Sequence, residues 1–292
     1  MKKTTLLRKL IYDPEILVMP GAHDALSATI VEQAGFKAIS LGGAACSICW
    51  LGKPDVGLVT LTEMTNHIRN IAEAVDVPVF ADGDTGHGNA TNVIRTAREF
   101  EKAGAAGFFI EDQDAPKRCG HREGKKVIPT NEMIAKIKAA VDARIDEDLV
   151  IMARTDALAV YGMEEAIERV HRYREAGADM ILVDALTTKE EMLRLNREVN
   201  IPTMATQVEG GRTPICTTKE LEAMGFAAVV YPGSSFFAAA YGIKKVMEEI
   251  CRKGTTTGFA DRMITFEEID AIVGLGKVRE REAYYYKDVP TL

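Results

Sequence analysis

Short apolar runs alternate along the chain with longer amphipathic stretches. Eight runs of three to five residues occur, and helical periodicity follows most of them. They are predicted to be strands, over Leu17–Met19, Ala38–Leu41, Val77–Ala81, Gly107–Ile110, Leu149–Ala153, Met180–Val183, Thr203–Ala205 and Ala227–Tyr231. Repeated strand–helix units predict a parallel sheet, and eight in 292 residues favour an α/β fold closed into a (β/α)8 barrel over an open sheet.

The stretches between the runs predict helices. An N-terminal helix comes first, and three of the later helices are expected to stop at a glycine just before the next strand, at Gly104, Gly177 and Gly225. The clearest helical segments are Thr91–Ala103, Asn131–Arg144, Met163–Ala176, Lys189–Val199 and Thr218–Met224. We therefore expect one barrel domain over residues 1–292.

Residues 258–292 fall outside the repeat. Two segments there, Glu267–Val273 and Val278–Tyr286, are predicted to be helices of a C-terminal extension that packs on a neighbouring subunit.

Composition narrows the function classes. The chain has a net charge of −7 and 47% hydrophobic residues, without a basic stretch or an apolar run of membrane-spanning length, which argues against nucleic-acid and membrane partners. Charged residues such as Arg8 and Asp13 interrupt the N-terminal apolar stretch, so no signal peptide is expected. Five scattered cysteines indicate reduced thiols, and the single Cys46–Cys49 pair makes a zinc site improbable. A cytoplasmic protein is the expectation.

Acidic residues follow two neighbouring predicted strands, at the barrel rim where active sites form. Asp82 and Asp84 come after the third run, and Glu111 comes after the fourth. Two carboxylates side by side repel unless a cation neutralises them, and oxygen ligands suit Mg²⁺ or Mn²⁺. The period of two along a strand would point Asp82 and Asp84 the same way. The alternative for Asp84 is helix capping, and the trio together favours a metal site.

The segment Lys117-Arg118-Cys119-Gly120-His121 places a thiol among cations. Neighbouring positive charges lower a thiol's pKa, so we expect a reactive Cys119 rather than a solvated basic turn. Flanking Pro116 and Gly124 indicate a loop that closes over the site.

Arg154 ends the fifth apolar run. Two interpretations stay open at this point, a bidentate grip on a substrate carboxylate and a structural pair with Asp156.

Four motifs together resemble the isocitrate lyase/phosphoenolpyruvate mutase superfamily. They are Asp82-Gly-Asp84-Thr-Gly86, Ile110-Glu111-Asp112-Gln113, Lys117-Arg118-Cys119-Gly120-His121 and Met152-Ala-Arg154-Thr-Asp156. The resemblance runs from about Pro20 to Gly242, and the Lys-Arg-Cys-Gly-His loop is typical of the superfamily's carbon–carbon lyases and their close hydrolase relatives.

This resemblance implies a site and a reaction. Mg²⁺ would be held by Asp82 and Asp84, with Asp55 and Glu111 acting directly or through water. The substrate, a small 2-hydroxy dicarboxylate, would be bound by Arg154 and by backbone amides of Gly42, Gly43 and Ala44. Cleavage would leave an α-keto acid and a carbanion that Cys119 protonates, with Lys117 and His121 offsetting its charge. Members of the superfamily are usually homotetramers with exchanged C-terminal helices.

Departures from the superfamily's patterns bear on the substrate. Methylisocitrate lyases carry His, Arg and Asn where this chain has Phe109, Phe237 and Thr206, so a third carboxylate would lack partners and an alkyl group would fit. The resemblance thus implies cleavage of 2,3-dimethylmalate to pyruvate and propionate. The alternatives are cleavage of 2-methylisocitrate, hydrolysis of oxaloacetate, and a non-catalytic binding barrel.

Three further positions differ from relatives. Pro232 stands where oxaloacetate hydrolases tend to carry Ser, which speaks against hydrolysis. Gly42 replaces a Ser or Thr of the substrate loop, and Asp184 replaces a frequent Glu, so their contacts with the substrate stay open.

Overall fold

All eight predicted strands are present, and each pairs in parallel with its neighbours. The computed structural model describes residues 1–118 and 124–287. The strands are β1 (Leu17–Pro20), β2 (Ile39–Leu41), β3 (Val79–Asp82), β4 (Gly107–Glu111), β5 (Val150–Thr155), β6 (Met180–Val183), β7 (Met204–Thr206) and β8 (Ala228–Tyr231).

The strands form a ring. β2 to β6 pair in sequence order, and β1, β8 and β7 form a second group. Two parallel bridges join the groups, between Gly21 and Ser40 and between Ile181 and Thr203. The eight strands therefore close into the predicted barrel, with the register Phe80–Gly107 between β3 and β4 as an example of their pairing.

Helices alternate with the strands, and several begin at a side-chain cap. Thr60, Thr188 and Thr217 each accept from the backbone N–H three residues on, which satisfies a donor that the helix leaves free. The helices are α1 (Lys3–Ile11), α2 (Ala25–Gln33), α3 (Gly43–Leu51), α4 (Leu61–Ala74), α5 (Ala90–Lys102), α6 (Thr130–Ala143), α7 (Leu158–Tyr161), α8 (Met163–Glu175), α9 (Lys189–Glu198), α10 (Thr218–Ala223), α11 (Ser234–Lys253), α12 (Phe266–Ile272) and α13 (Leu275–Tyr285).

Two cores stabilise the barrel. One lies between strands and helices, where Phe108 of β4 packs edge-on against Phe100 of α5. The other fills the interior and contains Phe109 and Met152 together with Leu7 of α1. Neighbouring residues of a strand therefore enter different cores, as side-chain alternation requires.

The chain divides into two compact units, Met1–Phe236 and Phe237–Leu292. The first contains the barrel; the second contains most of α11, a short 3₁₀ helix at Ala260–Arg262, α12 and α13. The two helices predicted after residue 258 are confirmed, whereas the single barrel domain with an extension from that residue stays a prediction. Among the described residues, no helix is both long and apolar enough to cross a membrane.

Candidate active site

A layer of polar side chains lies at the carboxyl ends of five neighbouring strands. Each follows by two residues an apolar side chain of the interior core, so alternation directs it into the same barrel mouth. The apolar layer is Phe80, Phe109, Met152, Leu182 and Met204, and the polar layer is Asp82, Glu111, Arg154, Asp184 and Thr206. The predicted crowding of polar groups at one rim is therefore observed.

Asp82 and Asp84 come together through a turn. β3 ends at Asp82, and Asp84 has a positive φ of 47°, so strand alternation does not place Asp84 and that part of the sequence argument was wrong. The backbone N–H of Asp84 donates to Asp82 Oδ1 at 2.8 Å. A Cβ on Gly83 would lie 2.5 Å from the carbonyl oxygen of Phe109, so the turn needs glycine there. Helix α5 is capped by Asn89, so Asp84 does not cap it.

The amino end of α3 faces the same carboxylates. Gly42 is its N-cap, and the backbone N–H of Gly43 donates to Asp82 Oδ2 at 2.7 Å. The Gly43 amide is therefore already hydrogen-bonded within the protein. The backbone N–H groups of Gly42 and Ala44 remain the loop's candidate donors to a substrate. A Cβ on Gly42 would lie 4.0 Å from the Pro232 side chain, which places Pro232 beside this loop.

Lys117 lies buried against the acidic side of the mouth. Its Nζ is 2.6 Å from Asp84 Oδ1 and 2.8 Å from Asp55 Oδ1. Burial disfavours its charge, but Asp84 and Glu111 outweigh burial and raise the pKa of Lys117 well above its ordinary value. Lys117 is therefore an ammonium that neutralises two of the predicted metal ligands.

Arg154 contacts three carboxylates at the same barrel mouth. Its Nε and Nη2 donate to the two oxygens of Asp156 at 3.0 and 3.1 Å. Nη2 also lies 3.2 Å from Asp184 Oδ2, and Nε lies 3.3 Å from Glu111 Oε2. The structural pair with Asp156, one of the two interpretations of Arg154, is therefore present, and a grip on substrate stays a prediction.

The acidic groups carry unused acceptor capacity. Burial raises the pKa of Glu111 well above its ordinary value, despite Arg154, and burial together with Asp84 raises that of Asp82. Among the described residues, the buried Glu111 Oε1 has no hydrogen-bond partner, and Asp84 Oδ1 has only its ion pair with Lys117.

These oxygens fit a hard divalent cation. Within residues 1–118 and 124–287, however, no three His, Cys, Asp or Glu side chains are already grouped for metal ligation. In their present arrangement, the positive charges next to these carboxylates are Lys117 and Arg154.

A buried network that sequence reasoning missed joins the carboxyl ends of β4 and β5 to α8. The Asp112 carboxylate accepts from Thr155 Oγ1 at 2.7 Å, Tyr173 Oη at 2.8 Å, Arg169 Nη1 at 2.9 Å and the Asp156 N–H at 2.9 Å. Arg169 and Tyr173 are four apart on α8, so their shared helix face was the available signal.

Lys125 was also missed. Its Nζ lies 2.7 Å from Asp156 Oδ1 and 3.7 Å from Asp184 Oδ2, with a side chain only 2% exposed. The available signal was its place just after the predicted loop.

The remaining predicted site residues differ in position. Phe109 is buried near the guanidinium of Arg154, whose Cζ is 6.0 Å from the ring centre. Thr206 ends β7, and its Oγ1 is buried without a hydrogen-bond partner in the described part of the chain. Phe237 is the first residue of the second unit. Cys119 and His121 lie outside the described residues.

An eight-stranded parallel barrel with carboxylates, a lysine and an arginine at one mouth defines an enzyme-like α/β barrel. Comparison with known proteins gives the family. The family model described as phosphoenolpyruvate phosphomutase matches residues 7–251. A 2,3-dimethylmalate lyase of Eubacterium barkeri is 45% identical, covering 98% of this chain and 99% of that protein.

Two further relatives widen the comparison. A 2-methylisocitrate lyase of Aeropyrum pernix is 42% identical, covering 95% of this chain and 89% of the relative. A solved structure of oxaloacetate acetylhydrolase, in complex with the inhibitor 3,3-difluorooxalacetate, superposes with a TM-score of 0.93 at 33% identity, covering 97% of each chain. The chain belongs to the phosphoenolpyruvate mutase/isocitrate lyase superfamily. It is an enzyme of this superfamily, and its relatives include lyases.

Proposed function

We propose that this protein is an Mg²⁺-dependent carbon–carbon lyase that cleaves 2,3-dimethylmalate to pyruvate and propionate. The observation that carries the proposal is the barrel mouth itself, where buried carboxylates face Lys117 and Arg154. The 45% identity to a 2,3-dimethylmalate lyase along almost the whole chain supports the choice of reaction.

The acidic side of the mouth is the proposed metal site. Asp82, Asp84 and Glu111, with Asp55, would hold Mg²⁺, and Mn²⁺ suits the same oxygen ligands. The buried Glu111 Oε1, which has no hydrogen-bond partner among the described residues, supports this choice. When bound, the ion would supply a positive charge that stabilises the alkoxide and keto oxygens formed at C2.

The remaining steps are assigned to the chain's own groups. Arg154 would bind and orient the carboxylate next to C2, together with the amides of Gly42 and Ala44. As the C2–C3 bond breaks, the 2-hydroxyl proton leaves to a base and the bond's electron pair stays on C3. Cys119 would return one proton to C3, while Lys117 and His121 offset the negative charge that develops on the neighbouring carboxylate.

The choice of an alkylated dicarboxylate rests on apolar surface next to Arg154. Phe109 is stacked on Phe80 and has no charge to offer a third carboxylate. An unpaired carboxylate in a buried site is costly, whereas a methyl group gains from leaving water. Thr206 is proposed to line the same pocket, with Asp184 acting through Arg154, and a substrate-binding role for Phe237 rests on the departure from the methylisocitrate lyase pattern alone.

Oxaloacetate hydrolysis is a second candidate, because the chain superposes closely on oxaloacetate acetylhydrolase. Pro232 argues against it. The residue lies beside Gly42, and proline has no hydroxyl with which to bind a hydrated oxaloacetate. Cleavage of 2-methylisocitrate is the third possibility, and it would require a partner for the extra carboxylate.

Product analysis tests the proposal. The protein is incubated with racemic 2,3-dimethylmalate, 2-methylisocitrate or oxaloacetate, with Mg²⁺ or with EDTA, and the acids formed are separated and identified. Pyruvate and propionate from dimethylmalate, lost with EDTA, are expected. Succinate as the principal product would identify 2-methylisocitrate as the substrate, and oxalate would identify oxaloacetate. No product from any of the three compounds would favour a non-catalytic binding barrel.

We also propose a cytoplasmic homotetramer that exchanges its C-terminal helices. Exposed apolar side chains in the second unit, including Phe266, Tyr284 and Tyr285, support burial against another subunit. Cys46, Cys49, Cys216 and Cys251 are free thiols, which supports a reducing compartment. Size-exclusion chromatography with light scattering tests the assembly, and a monomer would contradict it.

A further inference from the structure

Lys125 lies in the chain segment of residues 124–128, which follows β4 in the sequence. The segment pairs with residues that follow β4, through an antiparallel bridge between Gln113 and Val127. The Asp114 N–H donates to the Lys126 carbonyl at 2.9 Å, and the Ile128 N–H donates to the Asp112 carbonyl at 2.8 Å. We call residues 124–128 the return segment.

The side chains of the return segment differ in position. Lys126 is exposed, whereas Lys125 is buried with its Nζ 2.7 Å from Asp156 Oδ1 and 3.7 Å from Asp184 Oδ2. Burying an ammonium is unfavourable unless carboxylates pair with it. The contacts of Lys125 therefore fix where the return segment lies relative to β5 and β6.

Lys125 and Arg154 use the same two carboxylates. Asp156 Oδ1 accepts from Lys125 at 2.7 Å and from Arg154 Nη2 at 3.1 Å. Asp184 Oδ2 lies within 4 Å of both cations. Burial opposes ionisation of Asp156, but Arg154 and Lys125 outweigh burial and hold the pKa of Asp156 at about 2. Two buried carboxylates are thus shared between two cations.

We propose that Lys125 is a positioning residue for carboxylate binding, which fixes the return segment and keeps Arg154 oriented toward the barrel mouth. The proposal rests on the proposed function, in which Arg154 binds the substrate carboxylate. Without Lys125, Asp156 and Asp184 would both depend on Arg154, and their attraction would compete with the substrate for the guanidinium.

Four proteins test the proposal: wild type, Lys125→Met, Lys125→Arg and the matched control Lys126→Met. Lys125→Met and Lys126→Met each remove one ammonium from the same segment, but only the first removes the buried ion pairs. Pyruvate binding in the presence of Mg²⁺ is measured by isothermal titration, and amide hydrogen exchange of Asp114 and Ile128 is followed by NMR or by mass spectrometry of short peptides.

We expect Lys125→Met to weaken pyruvate binding about tenfold or more, a factor worth ~1.4 kcal/mol, and to speed exchange at both amides. Lys125→Arg keeps the charge and should recover most of the affinity, which a purely steric role would not predict. Lys126→Met should match wild type. If Lys125→Met destabilises the barrel, Lys125→Gln, which retains hydrogen bonding without charge, replaces it with the same expected direction.

Equal pyruvate affinity for Lys125→Met and Lys126→Met would overturn the positioning role. Unchanged exchange at Asp114 and Ile128 would overturn the role of Lys125 in fixing the return segment. Failure of the wild type to bind pyruvate would contradict the proposed function and not the positioning role. In that case the exchange comparison still decides whether Lys125 fixes the return segment.

Discussion

Asp112→Asn removes the charge from the centre of the network that joins β4 and β5 to α8. The Asp112 carboxylate is fully buried and accepts from four donors, among them Arg169 and Tyr173. Asparagine keeps one acceptor oxygen and replaces the other by an NH₂ group. The NH₂ group is a hydrogen-bond donor, and it would lie against groups that are themselves donors. Arg169 would also lose its buried counter-charge.

The size of the effect follows from these contacts. Breaking a buried ion pair costs about 3–5 kcal/mol. Arg169 keeps its 2.8 Å pair with Glu165, and burial raises the pKa of Asp112, so ionised Asp112 already carries a desolvation cost that asparagine avoids. Both considerations place the expected loss of unfolding free energy near the lower value, about 3 kcal/mol. Tyr173→Phe removes one donor and should cost about 1 kcal/mol.

Urea unfolding followed by circular dichroism at a fixed protein concentration measures the difference. Asp114→Asn, a substitution of the same type at an exposed position two residues on, is the control and should stay within about 0.5 kcal/mol of wild type. An Asp112→Asn protein that unfolds at the same urea concentration as Asp114→Asn would refute the reasoning.

Three further predictions concern the metal and the reaction. Gly43→Ala should weaken Mg²⁺ binding measured by titration calorimetry, because the added Cβ would lie 3.1 Å from Asp82 Oδ2. The control Gly42→Ala should leave Mg²⁺ binding unchanged. Equal Mg²⁺ affinities of the two variants would contradict this prediction. Cys119→Ser should lower turnover by about 10²–10⁴-fold with pyruvate binding retained, and near-full activity would contradict the acid role. Because burial raises the pKa values of Asp82 and Glu111, protons compete with the ion, so Mg²⁺ affinity should fall as the pH is lowered, less so in Glu111→Gln; an affinity independent of pH would exclude this.

The barrel could be predicted because its signals are local. Each strand is a short apolar run, and most are followed by a helix with a recognisable period and end, as at Gly104 and Gly177. Carboxyl ends of parallel strands share one rim, so Asp82, Glu111 and Arg154 could be placed near one another before any contact was known.

Contacts that depend on distant parts of the chain could not be predicted. Asp84 reaches the mouth through a left-handed residue in a turn, which a strand period does not describe. Lys125 and Asp156 are 31 residues apart, and Arg169 reaches Asp112 from a helix 57 residues away. These pairings depend on how the elements pack, and the local sequence does not identify the carboxylate that each cation meets.

The most direct test of the proposed function compares kcat/KM for 2,3-dimethylmalate and 2-methylisocitrate in one pyruvate-release assay with saturating Mg²⁺. The two substrates differ in the group that must lie near Phe109, and an unpaired buried polar group costs ~1–3 kcal/mol, so dimethylmalate should be preferred by about fivefold to 150-fold. A value for 2-methylisocitrate equal to or above that for dimethylmalate would contradict the proposed substrate.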